Sequence, residues 1–492
     1  FYASSDTRLS LITADPSVGG VASGVELTLL KDNGTLLESS TVPFSLQEGS
    51  HLLEYQSRDR VRNEEILLST TVLIDATAPQ SDLAVGVPQA VISLGFGTGT
   101  EGLVVVSTST RLLVHSTDTV SNAVASGVDL IQVRQDSGTF AAQAAPFGLL
   151  GGDGIKTVFF YAKDRVGNTE LEQARQLGLD GTAPRTELTA FGGRQYQDGT
   201  SLYASSSTAY RLNAEDPAVN ELASGVEFSE YALDEGVFSR FERDVFLAEG
   251  SRRLDYRSQD RVQNLEAALS TTVFVDATPP VSAATVGEPV FVGEGKKYIS
   301  AATPVTLAAD DRPSNGVASG MDRIEADSDG LGFAVYGSTL IFSEGRHNLA
   351  WRGVDRVGNE EAHSLELFSD ATPPITRLVP SGNFYSANSR DYAPASFTYG
   401  FAAEDPVSSE VASGLKSTSY RLDEGAFEVF GASFSLVEGV RRIGFQSSDN
   451  VLNEEALKGA TIYVDATAPV TELSIGAPSA SGPQGMTFVS TH

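Results

Sequence analysis

The chain has 492 residues, a formal net charge of -30 and no cysteine. The charge opposes binding to nucleic-acid phosphates and to anionic membrane surfaces, and it favours solubility and divalent cations. Without cysteine there is neither a disulfide nor a thiolate metal site, and the longest apolar stretches are too short to span a bilayer, so no membrane insertion within this segment is expected.

Read in order, one phrase recurs five times: a loop around Ala-Ser-Gly, a turn ending in Gly, Asp-x-Val-x-Asn, and Asp-x-Thr-x-Pro. The loop serines are Ser23, Ser126, Ser224, Ser319 and Ser413, and the closing aspartates are Asp75, Asp180, Asp276, Asp370 and Asp465. Both series step by roughly 95 to 105 residues, the signature of a tandem array. The period divides the chain into repeats at 1–77 (its first strand missing), 78–182, 183–278, 279–372 and 373–467, with a truncated sixth beginning at 468–492. The opening Phe1-Tyr2-Ala3-Ser4-Ser5 matches Tyr203-Ala204-Ser205-Ser206, and Phe488-Val489-Ser490 restarts it. The expectation is a segment of a longer protein, with any export signal or anchor in the flanks.

Within the third repeat, Arg185 to Leu188 reads as the first strand and Tyr203 to Asn213 as the second, ending at Glu215-Asp216. Gly225 frees the backbone for the next loop. Phe228 to Leu233 then forms a hairpin around Asp234-Glu235-Gly236, with the glycine suited to a left-handed or bulged position. Leu254, Tyr256, Ser258 and Asp260 alternate along one face of a strand, as do Leu349, Trp351, Gly353 and Asp355 in the fourth repeat. The aromatic plugs the core and the small residue gives it room. The last strand runs through Val273 and Val275 to Asp276, and Thr278-Pro279-Pro280 stiffens the joint. Short strands with turn signals every 8 to 12 positions predict an all-β fold: a tandem array of β-sandwiches forming an extended rod. At roughly 35 to 40 Å per sandwich the rod would reach about 200 Å.

The phrases Tyr231-Ala232-Leu233-Asp234-Glu235-Gly236, Asp355-Arg356-Val357-Gly358-Asn359 and Val464-Asp465-Ala466-Thr467-Ala468-Pro469 resemble the immunoglobulin-like and fibronectin-III-like repeats of large bacterial surface proteins and adhesins. The resemblance covers nearly the whole chain and implies a cell-surface or extracellular stalk, adhesin shaft or filament. Its implied partners are other copies of itself or surface glycans and proteins. The second repeat departs most, with Gly152-Asp153-Gly154 at its second turn.

In a sandwich of this strand order, the last strand of one repeat ends at the pole where its successor presents two loops. That gathers Asp75 with Asp118, Asp164 and Asn168; Asp180 with Asp216, Asp260 and Asn264; Asp276 with Asp310, Asp355 and Asn359; and Asp370 with Asp405, Asp449 and Asn453. Three carboxylates and an amide supply much of the oxygen shell of calcium, the one cofactor the sequence suggests, and cadherin-like arrays offer an analogy. Asp and Asn also cap tight turns, and they recur wherever the turns recur. Carboxylates that converge without metal should raise at least one pKa.

Catalysis finds no constellation. Of five histidines, His51 and His347 stand where other repeats carry Arg253 and Arg442, as on an exposed strand face, and the repeated serines lack a Ser-His-Asp set. A glycan-binding array would want exposed aromatic platforms. Trp351 holds the core-plug position, which leaves the aromatic-rich entry to the fifth repeat, Phe384, Tyr385, Tyr392, Phe397 and Tyr399. Because Phe1 begins near a second strand and 470–475 reads as a first strand, strand addition between molecules is a third reading. Simple truncation explains the same facts.

Overall fold

The computed structural model describes residues 1–37, 42–93, 102–143 and 145–490; the last two positions of the expected sixth repeat lie outside the described residues. It is a tandem array of all-β sandwiches: among the described residues a small sheet faces a six-stranded one four times over, the stretch nearest the start forms one five-stranded sheet, and the only helical element is a short 3-10 turn at Pro483–Gly485. No helix among them is long and apolar enough to cross a membrane. The chain forms two compact units, one of Phe1–Gly193 with Ser207–Val273 and one of Arg194–Ser206 with Phe274–His492.

In the second unit, Val281–Val286 pairs antiparallel with Val305–Asp310 as one small sheet, which the bridge between Val305 and Leu340 extends. The facing sheet has six strands in the spatial order Val290–Gly293, Lys296–Ser300, Glu360–Asp370, Gly345–Asp355, Met321–Ser328 and Ala334–Val335. Lys296–Ser300 runs parallel to the last strand, with Ser300 opposite Asp370. Leu349, Trp351, Gly353 and Asp355 are all buried on one side of Gly345–Asp355, as the alternation predicts. Ile299, Val305, Leu307, Phe342, Leu349, Trp351 and Leu367 close the core between the sheets, each worth about 1.5–3 kcal/mol of apolar burial. The set from Ile375–Pro380 to Lys458–Asp465 repeats this plan.

The first unit repeats it as well. Gln80–Val85 pairs with Leu112–Thr117, facing a sheet in which Leu103–Val106 lies parallel to Gln173–Leu179. Leu83, Leu112, Val158, Phe160 and Leu177 fill its core. Nearest the start, Tyr2–Ser4 joins Leu68–Asp75 in parallel, while Leu9 makes only an isolated bridge to Phe44.

Two local expectations are corrected. The run from Tyr203 to Asn213 is two strands, Ser201–Ser205 and Ala209–Glu215. Elsewhere the equivalent break is a Ser-x-x-Thr turn. Thr303 donates its N–H to the Ser300 carbonyl at 3.0 Å, and its hydroxyl accepts the Ser300 N–H at 2.9 Å. Ser107 and Thr110 do the same at 3.1 Å for both bonds. The side chain satisfies the backbone locally and frees the chain to change sheets. In the Asp234-Glu235-Gly236 hairpin, Asp234 and Glu235 take the positive φ, at 51° and 62°. Gly236 is needed for another reason: a Cβ there would stand 2.8 Å from the Leu233 carbonyl oxygen.

Candidate metal centre

Each Asp-x-Val-x-Asn turn folds around its own aspartate. Asp260 Oδ1 accepts the N–H groups of Val262 at 2.9 Å and Asn264 at 2.7 Å, and Asp164, Asp355 and Asp449 repeat the pattern. The valine drives inward: Val262, Val357 and Val451 are all buried. In the first unit Val262 clusters with Leu222, Leu103 and Val105, which anchors the loop on the preceding sheet.

The asparagine then ties this turn to the closing aspartate before it. Asn264 Nδ2 donates to Asp260 Oδ2 at 2.6 Å and to the backbone carbonyl of Asp180 at 3.0 Å. Asn168, Asn359 and Asn453 do the same with Asp75, Asp276 and Asp370. The amide therefore acts through its N–H₂ as a strut, a role that its expected place among oxygen ligands did not reveal.

The Ala-Ser-Gly loop supplies two successive N–H donors. Ser224 N–H reaches Asp180 Oδ2 at 2.7 Å, and Gly225 N–H reaches Asp216 Oδ2 at 2.6 Å. The pairs Ser126 with Asp75, Gly127 with Asp118, Ser319 with Asp276, Gly320 with Asp311, Ser413 with Asp370 and Gly414 with Asp405 are equivalent. The glycine sits at φ between 84° and 88° in these four loops, where a side chain is strained. In three of them it also lies beneath a guanidinium, that of Arg165, Arg261 or Arg356.

The result is four carboxylate triads: Asp75, Asp118 and Asp164; Asp180, Asp216 and Asp260; Asp276, Asp311 and Asp355; Asp370, Asp405 and Asp449. In each, one oxygen per residue lies within 4.8 Å of the others. Of the residues expected to converge, Asp310 does not. It is 70% exposed and pairs with Arg312, and Asp311 takes its place. The sequence carries a signal for this, because the aspartate whose carboxylate accepts the loop glycine's N–H stands nine residues before that glycine in every case.

Burial is the first cause that raises the middle aspartates, and the two neighbouring carboxylates push the same way; together they outweigh the glycine N–H bond. Asp216, Asp311 and Asp405 are pushed up to about 6, and Asp118 is raised for the same reasons. Burial, helped by the closing aspartate, also raises Asp260, Asp355 and Asp449 against the bonds from their turn Asn and from the backbone N–H of Val262, Gly358 and Val451. At Asp59, burial is outweighed by bonds from Asn63 and Val61, which hold it below the ordinary value. Among the buried polar atoms, Oδ1 of Asp118, Asp216, Asp311 and Asp405 makes no hydrogen bond. A buried anionic oxygen without a donor, beside two further carboxylates, fits a hard cation that takes oxygen ligands.

Other expected positions behave as structure. His51 and His347 are pinned through Nδ1 to Asp32 and Asp329 at 2.8 Å. Their counterparts are Arg252 and Arg441, one position earlier than expected, which pair with Asp234 and Asp423. Trp351 is 7% exposed and stacks on His363. Of the fifth repeat's aromatic entry, Phe384, Phe397 and Tyr399 pack into the core, whereas Tyr385 is 72% exposed. In the second repeat, Asp153 substitutes for the glutamate of other turns: Thr182 bonds Asp153 at 2.5 Å, as Thr77 bonds Glu48 and Thr372 bonds Glu344.

No protein-family model matches the chain, and no curated protein does. Among solved structures it is similar to the fibronectin(III)-like modules of Clostridium thermocellum CbhA, at 13% identity over 39% of this chain and 100% of that one, with a TM-score of 0.22. It is also similar to the human desmocollin-1 ectodomain, at 11% identity over 96% and 99% of the two chains, TM-score 0.21. The protocadherin GammaB4 extracellular domain gives 11% identity over 94% and 83%, TM-score 0.23. TM-scores this low add no weight, and the sandwich assignment rests on the paired sheets themselves.

Proposed function

We propose that this chain is a structural repeat segment of a large bacterial surface or extracellular protein, a stalk, adhesin shaft or filament. In this reading its repeats are braced by divalent cations, calcium first, at the four aspartate triads. The repeats at 78–182, 183–278, 279–372 and 373–467 are its working units, and no catalytic step belongs to it.

The observation that carries this reading is the recurrence of one bonding pattern four times over: Asn strut, Ser and Gly donors, and a middle aspartate with an unpartnered Oδ1. Each triad presents three negative charges in a shell already oriented by backbone N–H groups, so a divalent ion would neutralise repulsion without reorganising the loops. Asp75, Asp118 and Asp164 would hold the ion in the first cluster, and the equivalent residues in the others.

The test is small-angle scattering and calorimetric melting of the chain, with calcium and with chelator. A braced segment becomes more extended or less variable in its dimensions with calcium and melts at a higher temperature. Scattering and melting curves that superimpose with and without calcium would remove the cation from the proposal and leave the aspartates as turn caps.

A further inference from the structure

Seven of the fifteen buried side-chain polar atoms that lack a hydrogen bond among the described residues belong to the four clusters. Four are the middle-aspartate Oδ1 atoms already described. The other three are hydroxyls of the Ala-Ser-Gly loop: Ser126, Ser319 and Ser413. These serines are only 3–5% exposed, and Ser224 is 1% exposed. Ser224 Oγ stands 3.4 Å from Asp216 Oδ2, which locates the hydroxyl at the edge of its triad.

The loop's backbone does not explain the hydroxyl. The bond from each serine to its closing aspartate is made by the backbone N–H, which alanine would supply equally. Yet a serine stands in this place in every repeat, between Ala and Gly. A buried hydroxyl that donates at best one long bond, in a loop whose backbone N–H groups bind two of the carboxylates, keeps its oxygen lone pairs available. Hard cations accept neutral oxygens alongside carboxylates.

We infer that the loop serine is a direct ligand of the cation. Its Oγ joins the unpartnered Oδ1 of the middle aspartate and one oxygen each from the closing and turn aspartates. This rests on the cation-braced reading and goes beyond it, because it assigns the recurrent Ala-Ser-Gly phrase to the ion rather than to the turn. The centre joining the second and third repeats is then Asp180, Asp216, Ser224 and Asp260, and that joining the fourth and fifth is Asp370, Asp405, Ser413 and Asp449.

The chain's lack of cysteine makes a thiol substitution a clean probe. Three full-length variants are compared with the parent by calorimetric titration of calcium and of cadmium. In one, Ser126, Ser224, Ser319 and Ser413 are changed to Ala; in another they are changed to Cys; in the third, Asp118, Asp216, Asp311 and Asp405 are changed to Asn. Circular dichroism and melting in chelator check that each is folded. A ligating hydroxyl predicts that the Ala variant keeps the stoichiometry but binds calcium about tenfold or more weaker, since loss of mere outer-shell partners already costs about 10–100-fold. The Cys variant should gain cadmium affinity and a thiolate-to-cadmium absorption band that the parent lacks. Calcium binding by the parent that is unchanged in the Ala variant, with no such band in the Cys variant, overturns the serine assignment and leaves the cation reading intact. No binding by the parent overturns both. If the fourfold Cys variant does not fold, Ser413→Cys alone in the parent chain gives the same spectroscopic answer.

Discussion

Asn359 donates its side-chain N–H₂ to the backbone carbonyl of Asp276, 83 residues earlier, at 3.0 Å, and the same group reaches Asp355 Oδ2 at 2.7 Å. One amide thus holds a closing strand end and a later turn in a fixed relation. Replacing Asn359 with Ala strands both acceptors and should cost about 1–3 kcal/mol, seen as a lower melting temperature in calorimetry. Asn359→Asp should do more harm in chelator, because it adds a fourth negative charge. A variant that melts with the parent would show that the strut is not structural.

The neighbouring aspartates Asp310 and Asp311 separate cleanly. Asp310 pairs with Arg312 at the surface, so Asp310→Asn should leave melting and cation response within error of the parent, as exposed pairs contribute little. Asp311→Asn removes one of three crowded charges. It should raise the melting temperature in chelator by about 2–4 °C and abolish stabilisation by calcium at that cluster. The reverse assignment of effects would return the site to Asp310.

Acid should stabilise the cation-free chain over a defined range. The carboxyls of Asp216, Asp311 and Asp405 rise from 3.8 to about 6 on folding, so the folded state binds their protons more tightly. Their contribution is fully present below about pH 4 and is lost as pH climbs through about 6. Melting in chelator should therefore be higher near pH 5 than near pH 7.5, and saturating calcium should reduce or invert the difference. Cation-free melting that instead improves between those pH values would contradict the crowding of these carboxyls.

Trp351 is the single tryptophan, buried to 7% exposure against His363. Trp351→Ala should cost about 3–5 kcal/mol. In the parent, its fluorescence reports the unfolding of one sandwich, so a fluorescence transition that spans only part of the calorimetric heat is the expected result. A full coincidence of the two would mean that the repeats unfold as one.

The sandwiches were legible because Leu254, Tyr256, Ser258 and Asp260 alternate with a period of two, and the residues bury on that schedule. The break between Ser201–Ser205 and Ala209–Glu215 was not, since its turn is made of Ser and Thr, residues that also suit strands. The convergence of the triads followed from topology, whereas the choice between Asp310 and Asp311 depended on the spacing to Gly320. The part played by Asn264 was hidden for another reason: a residue type that serves as ligand or donor does not reveal which end faces the cluster.

The parallel register of Lys296–Ser300 against Glu360–Asp370, with Tyr298 opposite Phe368 and Ser300 opposite Asp370, bears on how a sandwich meets a pulling force. Tension along the chain draws a strand near the entry and the strand at the exit in opposite directions along their shared axis. Their cross-strand bonds are then loaded side by side in shear, whereas a hairpin pulled from its open end would lose them one after another. This short ladder, together with the aspartate that terminates it, is where a stretched repeat of this kind resists first.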